Sequence, residues 1–197
     1  MEIYDISQEV FSCVVFPGDP APKREDVLKM EKGDICNLTA FYMCAHNGTH
    51  IDAPYHFYEK GKAVEQIPLD KLVGYSYVCE HSGDITENDA KVILEKAKNA
   101  HRGAEKRILI KGNATITYEA SLVFANANIH LIGNESQTVG PKSAPIPVHK
   151  VLLEEEIVLL EGIRLEKVPE GVYLLSSAPL LLGESDGAPC RAILISL

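Results

Sequence analysis

Residues 46–57 read HNGTHIDAPYHF, and they decide how the rest of the chain is interpreted because they concentrate potential metal ligands. These ligands are His46, His50, Asp52 and His56. All of them stand at even positions, so they would share one face of an extended chain, whose side chains alternate with period two. A polar loop of surface histidines is the alternative interpretation, but one ligand-rich face is more typical of a metal site.

The same segment must turn if its first half is to bind one ion. A fully extended chain would separate His46 from His50 by about 13 Å, whereas Zn–N bonds are about 2 Å long. Asn47-Gly48 suits the turn, since both residue types tolerate positive φ. After such a turn His46, His50 and Asp52 can converge on one divalent ion. Imidazole and carboxylate ligands without a thiolate favour Zn²⁺ or Mn²⁺ in an open, catalytic site.

Outside this segment, short strand-like runs alternate with helical ones, which predicts a mixed α/β fold with helices covering a sheet. A capping box at residues 86–89 begins one helix, and Phe16–Pro20 read as a turn. The predicted helices are 87–99, 118–126 and 148–156. The predicted strands are 2–6, the middle of 35–45, 74–79, 107–111, 128–132, 157–160, 172–176 and 192–195.

Composition limits the classes of partner that this chain can have. Its 197 residues suit one domain, residues 1–197, with a sizeable core. The formal net charge of -9 argues against nucleic acid or an anionic membrane as partner and is compatible with metal ions. The five cysteines are widely spaced without a CxxC pair, and no signal peptide or membrane span is evident. We therefore expect reduced, mostly buried thiols and a cytoplasmic protein.

A second group of potential ligands lies far along the chain. His149 stands near the start of a predicted helix, and Glu161 directly follows the apolar strand 157–160. Strand ends border the clefts of α/β sheets, so a carboxylate there is often functional. Local spacing alone leaves Glu161 equally compatible with an ordinary turn residue before Gly162.

These motifs resemble a known family. HNGTHIDAPYHF is similar to the HxGTHxDxPxH signature of the cyclase-like metal-dependent hydrolases, which include bacterial kynurenine formamidases and isatin hydrolases. The resemblance extends to PGDP at 17–20, VHKVLLEEEIVLLEGI at 148–163 and SDGAPCRAILI at 185–195. It therefore covers most of the chain.

The resemblance implies a compact fold of swivelling β/α type, with a β-sheet or barrel-like core flanked by helices, assembled as a homodimer or larger. It also implies a two-metal site, with zinc first and manganese as the alternative. His46, His50 and Asp52 match the ligands of the first ion. Asp52 would bridge to a second ion, completed by His149 and Glu161. His56 matches the family's proton-shuttling histidine.

The implied activity is hydrolysis of a small amide, formamide or lactam by a metal-activated water, as in an arylformamidase. The small-molecule substrate itself is left open, because two stretches depart from the family pattern. Phe16 stands where a Trp often precedes the PGD turn, and residues 133–140 read GNESQTVG in place of a G-x-D-x-x-S-x-D pattern. A family member that binds metal or a small molecule without turnover, or a biosynthetic cyclase, is therefore an alternative. Asp186, in a turn-rich loop, could cap or line the site, but it is assigned a structural role.

Overall fold

The computed structural model describes residues 1–196, and within them strands and helices alternate as the sequence predicts. The strands are β1 Ile3–Asp5, β2 Lys23–Leu28, β3 Leu38–Tyr42, β4 His50–Asp52, β5 Val73–Glu80, β6 Gly83–Ile85, β7 Arg107–Lys111, β8 Ala114–Ile116, β9 Leu131–Asn134, β10 Val158–Glu161, β11 Gly171–Ser176, β12 Gly187–Pro189 and β13 Ile193–Ile195. The helices are α1 Leu69–Leu72, α2 Glu87–Ala100, α3 Tyr118–Asn126 and α4 Ile146–Glu154.

Nine of the strands form one mixed sheet in the order β1-β13-β11-β5-β7-β9-β10-β4-β12. Its centre is parallel, because β5, β7, β9 and β10 pair in the same direction. Helices α2, α3 and α4 make the successive crossovers between these four strands, as parallel pairing requires. The mixed α/β fold with a helix-flanked sheet is confirmed.

The core lies on both faces of this sheet. In β7, Ile108 and Ile110 pack with the helices, and Leu109 lies on the opposite face in a cluster that includes Ile6, after β1, and Ile51 of β4. All of these side chains are fully buried. The central strand is thus buried on both sides, which explains its continuous apolar run.

Helix α2 shows why the local sequence signals were reliable. The Thr86 hydroxyl accepts a hydrogen bond from the Asp89 amide, and the Asp89 carboxylate accepts one from the Thr86 amide. This capping box satisfies amides at the helix start. Ala90, Ile93 and Ala97 then bury one face of the helix.

Several parts of the fold differ from the sequence prediction; the strands β4, β6, β8 and β12, of three residues each, were not predicted. Strand β10 ends one residue later than predicted, so Glu161 lies inside the strand rather than after it. Strands β2 and β3 form a separate two-stranded sheet, and the charged sequence KREDVL of β2 concealed it.

The five cysteines are free, but Cys79 is the one among them that is buried. Over residues 1–196, none of the helices has the length and apolarity needed to cross a membrane.

Candidate active site and metal centre

Strand β4 brings the first ligands to the centre of the site. It pairs antiparallel with β10 on one side and with β12 on the other. His50 and Asp52 are two residues apart in this strand, so their side chains share a face, as the alternation predicted. Both are 1% exposed. The register with β10 sets Glu161 directly opposite His50.

The Asp52 carboxylate lies between the two predicted ligand groups. Its Oδ1 is 2.8 Å from His46 Nδ1 and 3.4 Å from His50 Nε2. Its Oδ2 is 3.7 Å from His149 Nε2, which in turn is 3.2 Å from Glu161 Oε1. In each of the two groups that share Asp52, one ligand atom per residue lies within 4.8 Å of the others. The structure therefore brings together all five residues that the sequence analysis assigned to metal.

Backbone carbonyls fix the orientation of two imidazoles. His50 Nδ1 donates to the Gly48 carbonyl at 3.0 Å, and His149 Nδ1 donates to the Pro145 carbonyl at 2.9 Å. Each ring therefore directs Nε2 toward the carboxylates, the arrangement that commonly orients metal-binding histidines. Glu161 is fixed in a similar way, since its Oε1 accepts the Val139 amide at 2.8 Å.

The turn that the sequence required is present between His46 and His50. Gly48 has φ +68, whereas Asn47 does not have positive φ. Thr49 stabilises the turn, because its buried hydroxyl donates to the Gly162 carbonyl at 2.8 Å. The Gly-Thr pair of the motif thus shapes the loop and leaves the imidazoles free to converge.

Charge balance supports a cation at this position. Burial lowers the pKa of His46, but the Asp52 and Asp186 carboxylates outweigh it and raise the pKa to about 11. Burial likewise lowers the pKa of His50, but the nearby carboxylates outweigh it and raise that pKa to about 9. Protonated imidazoles thus neutralise the buried carboxylates, and a divalent cation bound by the same atoms would replace those protons. The donor set therefore fits a divalent metal ion.

His56 lies beside this group and is linked to it by Asp186. Its Nδ1 is 3.0 Å from Asp186 Oδ2, and His46 Nε2 is 2.8 Å from the same oxygen. The two imidazole ring centres are 4.2 Å apart. Asp186 thus contacts two residues of the site, His46 and His56, although the sequence analysis assigned it a structural role. The available signal was its position in the SDGAPC segment, next to β12, which pairs with β4.

A cavity of about 220 Å³ opens above these side chains. All six site residues predicted from sequence line it. The other lining residues include Asp19 of the PGDP turn, the preceding Phe16, Phe57 and Pro145. Phe57 packs 4.5 Å from His56 and 5.3 Å from His149, measured between ring centres. The cavity gives a small ligand access to the imidazoles and carboxylates.

Comparisons with known proteins agree with this arrangement. The family model Cyclase, described as "Putative cyclase", matches residues 4–140. A kynurenine formamidase from Salinibacter ruber is 31% identical over 210 residues, covering 98% of this chain and 97% of its own length. A structure described as a "predicted metal-dependent hydrolase" from Bacillus stearothermophilus is 28% identical, with a TM-score of 0.80 and coverage of 98% and 97%.

A more distant structure, isatin hydrolase A from Ralstonia solanacearum, shares the fold with a TM-score of 0.84 at 18% identity. It covers 99% of this chain and 92% of its own. The family model spans more than half of the sequence and includes the segment HNGTHIDAPYHF. The chain therefore belongs to the Cyclase family.

Proposed function

We propose that this chain is a metal-dependent hydrolase that cleaves a C–N bond in a small amide, formamide or lactam, in the manner of an arylformamidase. The observation that carries the proposal is the pair of donor groups sharing Asp52, with His56 beside them. The 31% identity to a kynurenine formamidase over nearly the whole chain supports the class of reaction.

Two divalent ions per chain are part of the proposal, zinc first and manganese as the alternative. His46, His50 and Asp52 would hold one ion, and Asp52, His149 and Glu161 would hold the other. The short distances within each group and the absence of a thiolate among these ligands support this assignment. When bound, such ions supply an acidified water and a polarised substrate carbonyl.

His56 is proposed as the group that moves the proton. Asp186 accepts a hydrogen bond from His56 Nδ1, so in the neutral imidazole Nε2 is the nitrogen that can take a proton. The same nitrogen can then deliver that proton to the leaving amine nitrogen. His56 suits this exchange with substrate, because its side chain is 28% exposed whereas that of His50 is 1% exposed. Phe16 and Phe57 form aromatic walls for a planar group and exclude water around it.

The proposal is tested with a panel of N-formyl aryl amines, isatins and lactones, measured before and after metal removal. Turnover of at least one amide that is abolished by chelation and restored by zinc or manganese is the expected result. Full activity after exhaustive metal removal would contradict the proposal.

The altered GNESQTVG segment at 133–140 motivates a second candidate, a binding protein that retains the ligands without turnover. Saturable binding of panel compounds to the metal-loaded protein, with no hydrolysis of any of them, would favour this candidate. Ring closure instead of hydrolysis, detected by mass spectrometry of the products, would favour a biosynthetic cyclase.

We further propose that the chain forms a homodimer or larger assembly through the β2–β3 hairpin. Within residues 1–196 these strands pair only with each other, and an isolated hairpin is marginally stable in water. Its exposed apolar side chains are Val27, Leu38, Phe41 and Tyr42 in the strands and Met30 and Ile35 between them. Light scattering should give a multiple of 21.6 kDa. A monomer at micromolar concentration would contradict the assembly.

The remaining features support a small-molecule substrate in a reducing compartment, which we take to be the cytoplasm. The net charge of -9 disfavours a polyanionic partner such as nucleic acid. All five cysteines are free in the structure. Direct binding of nucleic acid at physiological salt would contradict the assignment of a small molecule as the only kind of partner. Cell fractionation tests the assignment to the cytoplasm.

A further inference from the structure

Two glutamine side chains join separate parts of the chain beside the metal-binding residues. Gln8 follows β1, and Gln137 belongs to the stretch that departs from the family pattern. The Gln8 Nε2 group donates to Gln137 Oε1 and to the Gly162 carbonyl, at 2.8 Å in each case. The Gln137 Nε2 group donates to the Gly48 carbonyl at 3.0 Å. These bonds connect the N-terminal segment to the turn that separates the first two metal ligands.

The direction of each amide in this pair is set by its neighbours. The Val14 amide donates to Gln8 Oε1 at 2.9 Å, so Gln8 presents Nε2 to its other partners. Gln137 must then present Oε1 to Gln8, and its own Nε2 faces the Gly48 carbonyl. The hydrogen bonds therefore run in one direction from Val14 to Gly48. Reversal of either amide would place two donors or two acceptors together.

The Gly48 carbonyl is the point at which these hydrogen bonds reach a metal ligand. His50 Nδ1 donates to the same oxygen at 3.0 Å, so His50 and Gln137 share one acceptor. Gly48 has φ +68 and the backbone freedom of glycine, so its peptide needs an external contact to be fixed. A fixed acceptor restricts rotation of the imidazole, whose Nε2 lies 3.4 Å from Asp52 Oδ1 and 3.5 Å from Glu161 Oε2.

Close packing around Gly162 supports the same arrangement. The Gly162 carbonyl accepts hydrogen bonds from Gln8 Nε2 and from the Thr49 hydroxyl, both at 2.8 Å. The Thr49 hydroxyl in turn accepts the Gln8 main-chain amide at 2.9 Å. A Cβ at Gly162 would overlap the oxygens of Gln137 and Gly48 and the side-chain nitrogen of Gln8. The two glutamines are therefore held in place by partners on both sides.

We propose that Gln137 is a positioning residue for the metal site, because through the Gly48 carbonyl it fixes the His50 imidazole in the orientation that binds metal. Gln8 sets the direction of the Gln137 amide. The role of Gln137 rests on the proposed function only in requiring that His50 binds metal, and it does not depend on which substrate is hydrolysed. Loss of the Gln137 donor should weaken binding of the ion beside His50 and have little effect on the ion beside His149.

Zinc affinity measured by competition with a chelator tests this role. Gln137→Met has a similar length and no donor, and the binding step that belongs to the ion beside His50 is the one that His50→Ala lacks. We expect Gln137→Met to weaken that step about tenfold and the other step by no more than about threefold. Gln66→Met is the matched control and should bind zinc as the wild-type protein does. Gln66 is exposed, and within residues 1–196 its side chain bonds to the Ala63 amide alone.

Gln137→Glu is a second variant of nearly the same shape. It keeps an acceptor for Gln8 and replaces the donor to Gly48 with an oxygen. The added negative charge by itself would favour a cation nearby. We nevertheless expect zinc beside His50 to bind severalfold more weakly, because two acceptor oxygens would face each other. Zinc binding tighter than in the wild-type protein would overturn the proposal.

Stability measurements separate positioning from a purely structural role. Thermal unfolding is followed for both Gln137 variants in the metal-free and zinc-loaded forms. Weaker zinc binding by the folded state predicts a larger loss of stability in the zinc-loaded form. An equal loss in the two forms with unchanged zinc affinity would show a structural role and overturn the assignment. Failure of both variants to fold would overturn it in the same way.

The outcome for Gln137 is distinguishable from the outcome for the proposed function. If no amide of the panel is hydrolysed but Gln137→Met weakens the zinc step that His50→Ala lacks, the hydrolase assignment fails and the positioning role stands. If the wild-type protein hydrolyses an amide in a chelator-sensitive way and Gln137→Met binds zinc as tightly as wild type, the positioning role fails and the hydrolase assignment stands.

Discussion

His50 and Glu161 lie directly opposite each other where β4 pairs antiparallel with β10, and His50 Nε2 is 3.5 Å from Glu161 Oε2. Both side chains are at most 3% exposed. A slip of one residue in this pairing would turn every side chain of β4 to the other face of the sheet. The site therefore depends on strand register, because the pairing of β4 with β10 brings His50 and Glu161 together.

Replacing His50 with Ala tests whether this side chain is a metal ligand. The change removes one imidazole from a group of three donors, so metal affinity should fall by roughly 100-fold or more, with activity lost in parallel. Metal content after dialysis, measured by elemental analysis, is the readout. His101→Ala, at an exposed histidine that stacks on Tyr75, is the control and should retain its metal. Normal metal content in the His50 variant would contradict its assignment as a ligand.

His56→Gln separates proton transfer from metal binding. His56 is assigned to moving protons, so the variant should keep its metal while kcat falls by roughly 10²–10⁴-fold. Rates and metal content measured on the same preparation decide the matter. If the variant loses its metal, His56 is a ligand and its proton-transfer role is wrong.

Gly162→Ala should unfold the loop that adjoins Glu161. Gly162 has φ +68, and a Cβ there would overlap Gln137, Gln8 and the Gly48 carbonyl. We expect a loss of roughly 2–4 kcal/mol in the free energy of unfolding, measured by denaturant titration. Gly183→Ala is the matched control, because a Cβ at Gly183 meets nothing within 4 Å and its φ is not positive. Equal stability of the two variants would contradict this account of the loop.

Glu170, which lies away from the site, is expected to make a pH-dependent contribution to the stability of the protein. Its carboxylate accepts the Glu80 amide at 3.0 Å and the Tyr77 hydroxyl at 2.8 Å, and these bonds outweigh burial and hold its pKa below the ordinary 4.5. Burial, followed by the bond to Glu170, raises the pKa of Tyr77 to about 12. A lowered carboxyl pKa stabilises the fold above pH 4.5, and the contribution disappears as pH falls through the folded-state pKa.

Glu170→Gln should therefore destabilise the protein by about 1 kcal/mol between pH 5 and 9, a value already reduced for the partial exposure of Glu170. The difference from wild type should shrink as the pH is lowered below 4.5. Thermal unfolding across this range is the measurement, with the exposed Glu166→Gln as control. A difference that stays constant down to pH 2 would contradict the assignment of the effect to ionised Glu170.

The sequence predicted those elements and site residues that are marked by a local pattern. The strand Arg107–Lys111 and the helix Tyr118–Asn126 have the predicted bounds, because an apolar run and a helical period mark them clearly. His46, His50 and Asp52 could be grouped because they lie within seven residues of one another. The resemblance then extended the group to His149 and Glu161, for which spacing alone was inconclusive.

Asp186 could not be predicted in the same way. It contacts His56 across 130 residues of sequence, and that contact depends on the pairing of β12 with β4. Each of these strands has three residues, too few for a periodic pattern to be recognised. Strand β3 was predicted as the middle of residues 35–45, but its partner β2 was missed because charged residues dominate β2. Long-range pairing of short strands is therefore the part of this fold that only the structure reveals.

We propose that Asp52 is shared by two divalent ions, one beside His46 and His50 and the other beside His149 and Glu161. Anomalous diffraction at the metal absorption edge from crystals of the metal-loaded protein tests it most directly. We expect two peaks per chain, one on each side of the Asp52 carboxylate. A single peak without contact to His149 and Glu161, or peaks away from Asp52, would contradict it.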